Sequence, residues 1–163
     1  MKCVSTLVRN HSGVLLKVTS LFGRRGFNIQ SVTVGVTEDP EISRMTFTVA
    51  DDEKTISQLV KQLSKLEDVL SVKVLNDSDC IKRELCFIKV KAQSDKRSKI
   101  IEIADIFRAR IIDVSKNTIT LEITGDGDKT EAFIEMLSDF GICEVVRTGV
   151  LAIERGEEML SIK

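Results

Sequence analysis

Residues 10–36 read NHSGVLLKVTSLFGRRGFNIQSVTVGV, and the fold turns on how that run divides. Val14, Val18, Leu21 and Phe22 fall at i, i+4, i+7 and i+8, the spacing of one helix face. Gly26 closes the helix, because glycine takes the left-handed conformation of a helix end without steric cost. Residues 27–36 follow as a strand rich in β-branched side chains (Ile29, Val32, Thr33, Val34) and end in a Glu38-Asp39-Pro40 turn. Upstream, residues 2–9 alternate as a strand, joined to the helix through Asn10-His11-Ser12-Gly13.

Working outward, residues 43–50 alternate, with Met45, Phe47 and Val49 against Arg44, Thr46 and Thr48. Asp51 or Asp52 then caps a helix with Ile56, Leu59, Val60 and Leu63 on one face, and residues 69–75 supply a fourth strand. The order βαββαβ is that of a ferredoxin-like plait, one antiparallel sheet with both helices on a single face. Residues 76–83 (NDSDCIKR) are polar and lack periodicity, which reads as a linker.

Beyond the linker the plan restarts. A strand is expected over residues 85–92, a helix with Ile100, Ile103, Ala104 and Phe107 on one face, and strands over 111–114 and 118–124. A last helix carries Phe133, Met136, Leu137 and Phe140, and residues 143–153 close as a strand. Phe22-Gly23-Arg24-Arg25 is echoed by Phe107-Arg108-Ala109-Arg110, and Glu53-Lys54-Thr55 by Asp128-Lys129-Thr130. The expected fold class is therefore α+β, two ferredoxin-like βαββαβ domains in tandem, residues 1–77 and 83–163. The repeats differ at the first strand-to-helix junction, where the second has Gln93-Ser94-Asp95-Lys96-Arg97-Ser98 and no glycine.

Composition narrows the function. Basic and acidic residues number 24 and 25, so no net charge draws phosphate or anionic lipid to the surface. An RNA-recognition fold shares the βαββαβ order, but its third strand should present stacking aromatics, and here that strand offers Phe47 alone, in a chain without Trp or Tyr. No apolar run approaches the roughly 18 residues of a membrane helix. The four cysteines form no Cys-x-x-Cys pair and no apolar leader opens the chain, which points to a reducing cytosol and to small apolar fillers inside a sheet. There is no dinucleotide or Walker loop and no His/Cys spacing for a metal. Gly125-Asp126-Gly127-Asp128 lacks the downstream acidic ligands of a calcium loop and reads as a turn before a helix.

Chemistry concentrates at the glycine junction. Ser12 is placed to cap the helix, and the amides of Gly13, Val14 and Leu15 are then among the orphan donors of its first turn. With the helix dipole and no side chain on Gly13, they suit a carboxylate, although a plain capped turn with glycine for conformational relief uses the same residues. Asn28 either meets a charged group of a ligand or bonds its own backbone in a turn. A zwitterionic amino acid needs a carboxylate donor set, an ammonium acceptor and an apolar wall. Gly13 to Leu15, Asn10 with Asn28, and Ile29 with Leu15 match those needs.

The run 10–15, the run 21–34 and Ser43-Arg44-Met45 resemble the ACT domain of acetolactate synthase (acetohydroxyacid synthase) small regulatory subunits. Ile106-Phe107-Arg108, Ile111-Ile112-Asp113-Val114 and Arg147-Thr148-Gly149-Val150 extend the resemblance over almost the whole chain. The resemblance implies a regulator that activates a separate catalytic large subunit and confers feedback inhibition by valine or another branched-chain amino acid. It also implies a homodimer in which N-terminal sheets join edge to edge. The effector then meets Asn10, Gly13, Val14 and Leu15 of one chain and Asn28 and Ile29 of the other, with His11 beside them and Gln58 at a position tied to feedback sensitivity. Thiamine diphosphate, magnesium and flavin are expected on the catalytic partner and no cofactor here. His11, the sole histidine, lacks an oriented partner in any motif, so it is not read as a base. The alternative is an ACT-type amino-acid sensor acting on a different enzyme or a transcription factor.

Overall fold

The structure is a computed structural model describing residues 2–50 and 52–162. It divides into two compact units. The first runs to Lys82 and is completed by the segment from Val150 onward; the second is Arg83–Gly149.

The first unit contains β1 (Lys2–Arg9), α1 (Val14–Arg25), β2 (Ile29–Val36), β3 (Ile42–Val49), α2 (Glu53–Leu63) and β4 (Val69–Leu75). Its strands lie in the order β2-β3-β1-β4, all neighbours antiparallel. Val4 and Val8 of β1 and Met45, Phe47 and Val49 of β3 turn to one face, against Val14, Val18, Leu21 and Phe22 of α1 and Ile56, Leu59 and Leu63 of α2. The Phe22 and Phe47 rings stack at 4.7 Å between centroids. Asp52 caps α2, its carboxylate accepting from the Thr55 amide at 2.7 Å; Asp51 lies outside the described residues.

Residues 76–83 are not a linker throughout. Asn76 to Asp79 makes a turn closed by the Asp79 amide on the Asn76 carbonyl, and β5 (Cys80–Lys91) already begins at Cys80. β5 is joined in the second unit by α3 (Arg97–Phe107), β6 (Arg110–Val114), β7 (Thr118–Gly125), α4 (Gly127–Ser138) and β8 (Ile142–Arg147), in the strand order β6-β7-β5-β8. Its core joins Cys86, Ile88 and Val90 to Ile100, Ile103, Ala104, Phe133 and Leu137. Each unit is thus a βαββαβ plait, and the α+β tandem read from the sequence is the observed fold.

The repeats align differently from their local echoes. Gly26 and Arg108 are the equivalent helix ends, both left-handed (φ 72° and 55°), each followed by an amide bonded to a carbonyl near the end of the helix: Phe27 to Phe22, Ala109 to Ala104. Phe22 therefore corresponds to Ala104, not to Phe107. The caps Asp52 and Asp126 likewise match Thr55 to Lys129, one residue off the echo. Asp126 caps α4, so the Gly125 to Asp128 loop is the turn before a helix that was expected.

The strand expected over 143–153 is broken. β8 ends at Arg147, Gly149 turns the chain at φ 84°, and β9 (Leu151–Glu154) pairs with β5. The segment from Val150, expected with the 83–163 domain, lies instead across the helix-free face of the first sheet. There Thr33 Oγ1 donates to the Val150 carbonyl (3.2 Å), Arg44 Nη2 to the Ala152 carbonyl (3.0 Å), and Lys73 pairs with Glu154 (2.5 Å). Val150 and Ala152 pack on Cys3, Leu75 and Cys80. This cover is why the polar face residues Ser5, Thr46 and Thr48 are buried. Cys3, Cys80 and Cys86 are buried fillers as expected, whereas Cys143 is exposed.

Candidate functional site

The junction between β1 and α1 is built around Gly13. Its φ of 86° is left-handed, a region that side-chain-bearing residues rarely enter, and it occupies the cap position of α1. Ser12 therefore does not cap the helix, and among the described residues no side-chain hydrogen bond caps it. The Gly13 carbonyl accepts from the Lys17 amide at 3.0 Å, while the Val14 amide reaches back to the His11 carbonyl at 3.5 Å. The helix start consequently keeps its partial positive charge and its orphan donors. A Cβ built on Gly13 would meet nothing within 4 Å, so the space above the turn is open.

The other residues named from sequence take distinct places. Asn10 is engaged inside the chain: Nδ2 donates to the Pro40 carbonyl (2.7 Å) and Oδ1 accepts from Ser43 Oγ (3.0 Å), which ties the end of β1 to the β2–β3 turn. Val14 turns its side chain into the core at 2% exposure, leaving only its backbone for a ligand. Leu15 is exposed and could form an apolar wall. Gln58 is exposed on α2, and Asn28 is exposed just ahead of β2, where Ile29 packs partly against the core.

His11 does have an oriented partner, which the sequence did not reveal. Its Nε2 lies 2.9 Å from Asp68 Oδ1, and Lys17 Nζ lies 2.6 Å from Asp68 Oδ2. The Lys17 hydrogen bond, with help from His11, holds the Asp68 carboxyl below the usual carboxylate range, and Asp68 in turn raises Lys17. Asp68 was missed because an acidic residue in a polar post-helix turn reads as solvated. Only the tertiary fold places it opposite residues 11 and 17.

One chain does not bring the two halves of the expected site together. Gly13 and Asn28 flank opposite ends of α1, whose 12 residues span about 18 Å. β1 and β2 are both antiparallel to β3, so β2 ends on the Gly13 side and starts on the far side. β2 is also a sheet edge, with Val32, Val34 and Val36 between 38% and 60% exposed. A second β2 laid antiparallel along this edge would carry its own Asn28 toward the first chain's Gly13.

Residues 4–71 match the model of the AHAS small subunit-like ACT domain, and residues 83–156 match that of the small subunit of acetolactate synthase. The chain belongs to the acetolactate synthase small-subunit family. A probable acetolactate synthase small subunit of Archaeoglobus fulgidus is 48% identical over 155 residues, covering 95% of this chain and 97% of the relative. The acetolactate synthase small subunit of Mycolicibacterium smegmatis is 43% identical over 153 residues, covering 94% and 90%. The crystal structure of the acetolactate synthase small subunit from Thermotoga maritima superposes with a TM-score of 0.88 at 43% identity, covering 96% of this chain and 98% of that one. A small subunit of this family is a regulatory chain, not itself catalytic, and its name implies a catalytic large subunit as partner. Among the described residues no helix is long and apolar enough to cross a membrane.

Proposed function

We propose that this acetolactate synthase small subunit activates a catalytic large subunit and makes it sensitive to feedback inhibition by a branched-chain amino acid, valine first among the candidates. The observation that carries the reading is the Gly13 turn. An uncapped helix start is held open by a left-handed glycine, beside an apolar edge strand whose geometry lets a second copy supply Asn28 and Ile29. The effector's carboxylate takes the first-turn amides of α1, Asn28 of the second copy meets its polar head, and Leu15 with Ile29 walls its branched side chain. Residues 1–77 act as the effector domain of a homodimer, with Gln58 tuning sensitivity. Thiamine diphosphate, magnesium and flavin belong to the catalytic partner in this reading, and the complex works in the cytosol.

Calorimetric titration of the full chain with valine, leucine, isoleucine and serine tests it. Saturable heat from the branched-chain ligands and none from serine is expected; no binding of any branched-chain ligand would refute it. Asn28→Ala should weaken valine by about 1–3 kcal/mol, the loss of a hydrogen bond to a charged group, and an unchanged isotherm would remove Asn28 from the site.

A further inference from the structure

Asp68 sits in the loop between α2 and β4 and is 8% exposed. Its two carboxylate oxygens are divided between residues on either side of Gly13, with Oδ1 on His11 and Oδ2 on Lys17. Its carbonyl oxygen also accepts the Arg9 amide at 2.9 Å, at the end of β1. The last residue of β1, the residue two before Gly13 and the first-turn lysine of α1 are thus gathered on one side chain and its backbone.

Two physical consequences follow. A left-handed glycine has more accessible conformations than any other residue, so a turn built on it needs outside restraint to stay in one of them. Asp68 restrains it from both flanks, while the Val14 amide and the Gly13 carbonyl keep only local contacts with His11 and Lys17. The second consequence is electrostatic. A bare carboxylate near a helix start would repel an incoming carboxylate, but here Lys17 neutralises the charge and His11 occupies the second oxygen.

We propose that Asp68 is a positioning residue for the effector site: through His11 and Lys17 it fixes the Gly13 turn in the shape that receives the effector's carboxylate. The proposal rests on the effector reading of that turn. Asp68 acts through His11 and Lys17, each of which holds one of its carboxylate oxygens.

The test is calorimetric titration of the full-length chain with valine, for the wild type, Asp68→Asn, His11→Gln and the double variant, with a thermal melt of each. Asp68→Asn is expected to weaken valine about tenfold. If Asp68 acts through His11, the double variant loses no more than Asp68→Asn alone, a non-additivity that general loosening of the fold would not produce. Wild-type affinity in Asp68→Asn, or losses that multiply in the double variant, overturns the proposal. Should Asp68→Asn fail to give a cooperative melt, His11→Gln and Lys17→Met, both at half-exposed side chains, carry the test; each should weaken valine severalfold, and wild-type affinity in both overturns it. A wild-type chain that binds no branched-chain amino acid overturns the effector reading and this proposal with it, whereas tight wild-type binding with indifferent variants overturns the proposal alone.

Discussion

At the scale of single residues, Gly13 carries opposite consequences for stability and for binding. A Cβ there meets no atom of its own chain within 4 Å, so Gly13→Ala costs stability only through its left-handed backbone, about 1–2 kcal/mol in a denaturant titration. Gly13→Asp adds both volume and negative charge where a carboxylate is expected, and it should abolish valine heats while still melting cooperatively. The Asp68 ion pair sets a pH window. Because the folded Asp68 carboxyl lies below its unfolded value of about 3.9, its contribution is present above that pH and is lost as pH falls through the lower folded value. Lys17 is shifted the other way, so its share persists below about 10.4 and is lost only as pH rises past its raised folded value. The stability gap between wild type and Asp68→Asn should accordingly close in strong acid. A gap that opened toward low pH would contradict this assignment.

At the scale of elements, the helices were legible because their cores are local patterns. Val14, Val18, Leu21 and Phe22 are all buried, and so are Ile56, Leu59 and Leu63, with Val60 partly buried beside them, whereas Met136, expected on the core face of the last helix, is 50% exposed. Phe22→Ala should cost about 3–5 kcal/mol, since its ring is fully buried against Phe47 and Phe27. β9 was not legible. Val150, Ala152 and Glu154 alternate with Leu151 and Ile153 like any strand, and nothing local says that their partners are Thr33, Arg44 and Lys73, more than 75 residues earlier. Ser12 misled for a similar reason: serine before a helical run is a good cap by type, but Gly13 takes the cap position with its left-handed backbone. The strap formed by β9 has a chemical readout. Burial pushes the Cys3 and Cys80 thiols up, which keeps them protonated and slow toward alkylating reagents, while Cys143 is exposed. Ala152→Asp should lift the strap and speed labelling of Cys3 and Cys80 with Cys143 unchanged. Equal protection in the variant would mean that the strap is not what covers them.

At the scale of the whole molecule, the tandem plan was readable because two runs of the same periodicities leave few other folds, whereas the proposed pairing of copies came from the family resemblance and from no pattern in the residues. Val32 and Val34 face the helix side opposite Phe47 and Met45, yet remain 38% and 43% exposed because β2 has no neighbour beyond it among the described residues. An uncovered apolar edge of this kind is a template for another strand. Val34→Lys should therefore shift the full chain from dimer toward monomer in sedimentation velocity and weaken valine in parallel, since the proposed site draws on both copies. A monomeric variant that still bound valine normally would confine the site to one chain.

The return of the C-terminal segment to the first sheet also governs how the protein is made. Ser31 waits for Val150, a separation of 119 residues, before its side of the sheet is sealed. During synthesis the N-terminal plait thus emerges with a wet, hydroxyl-lined back that closes only once Val150 and Ala152 have followed it out of the ribosome.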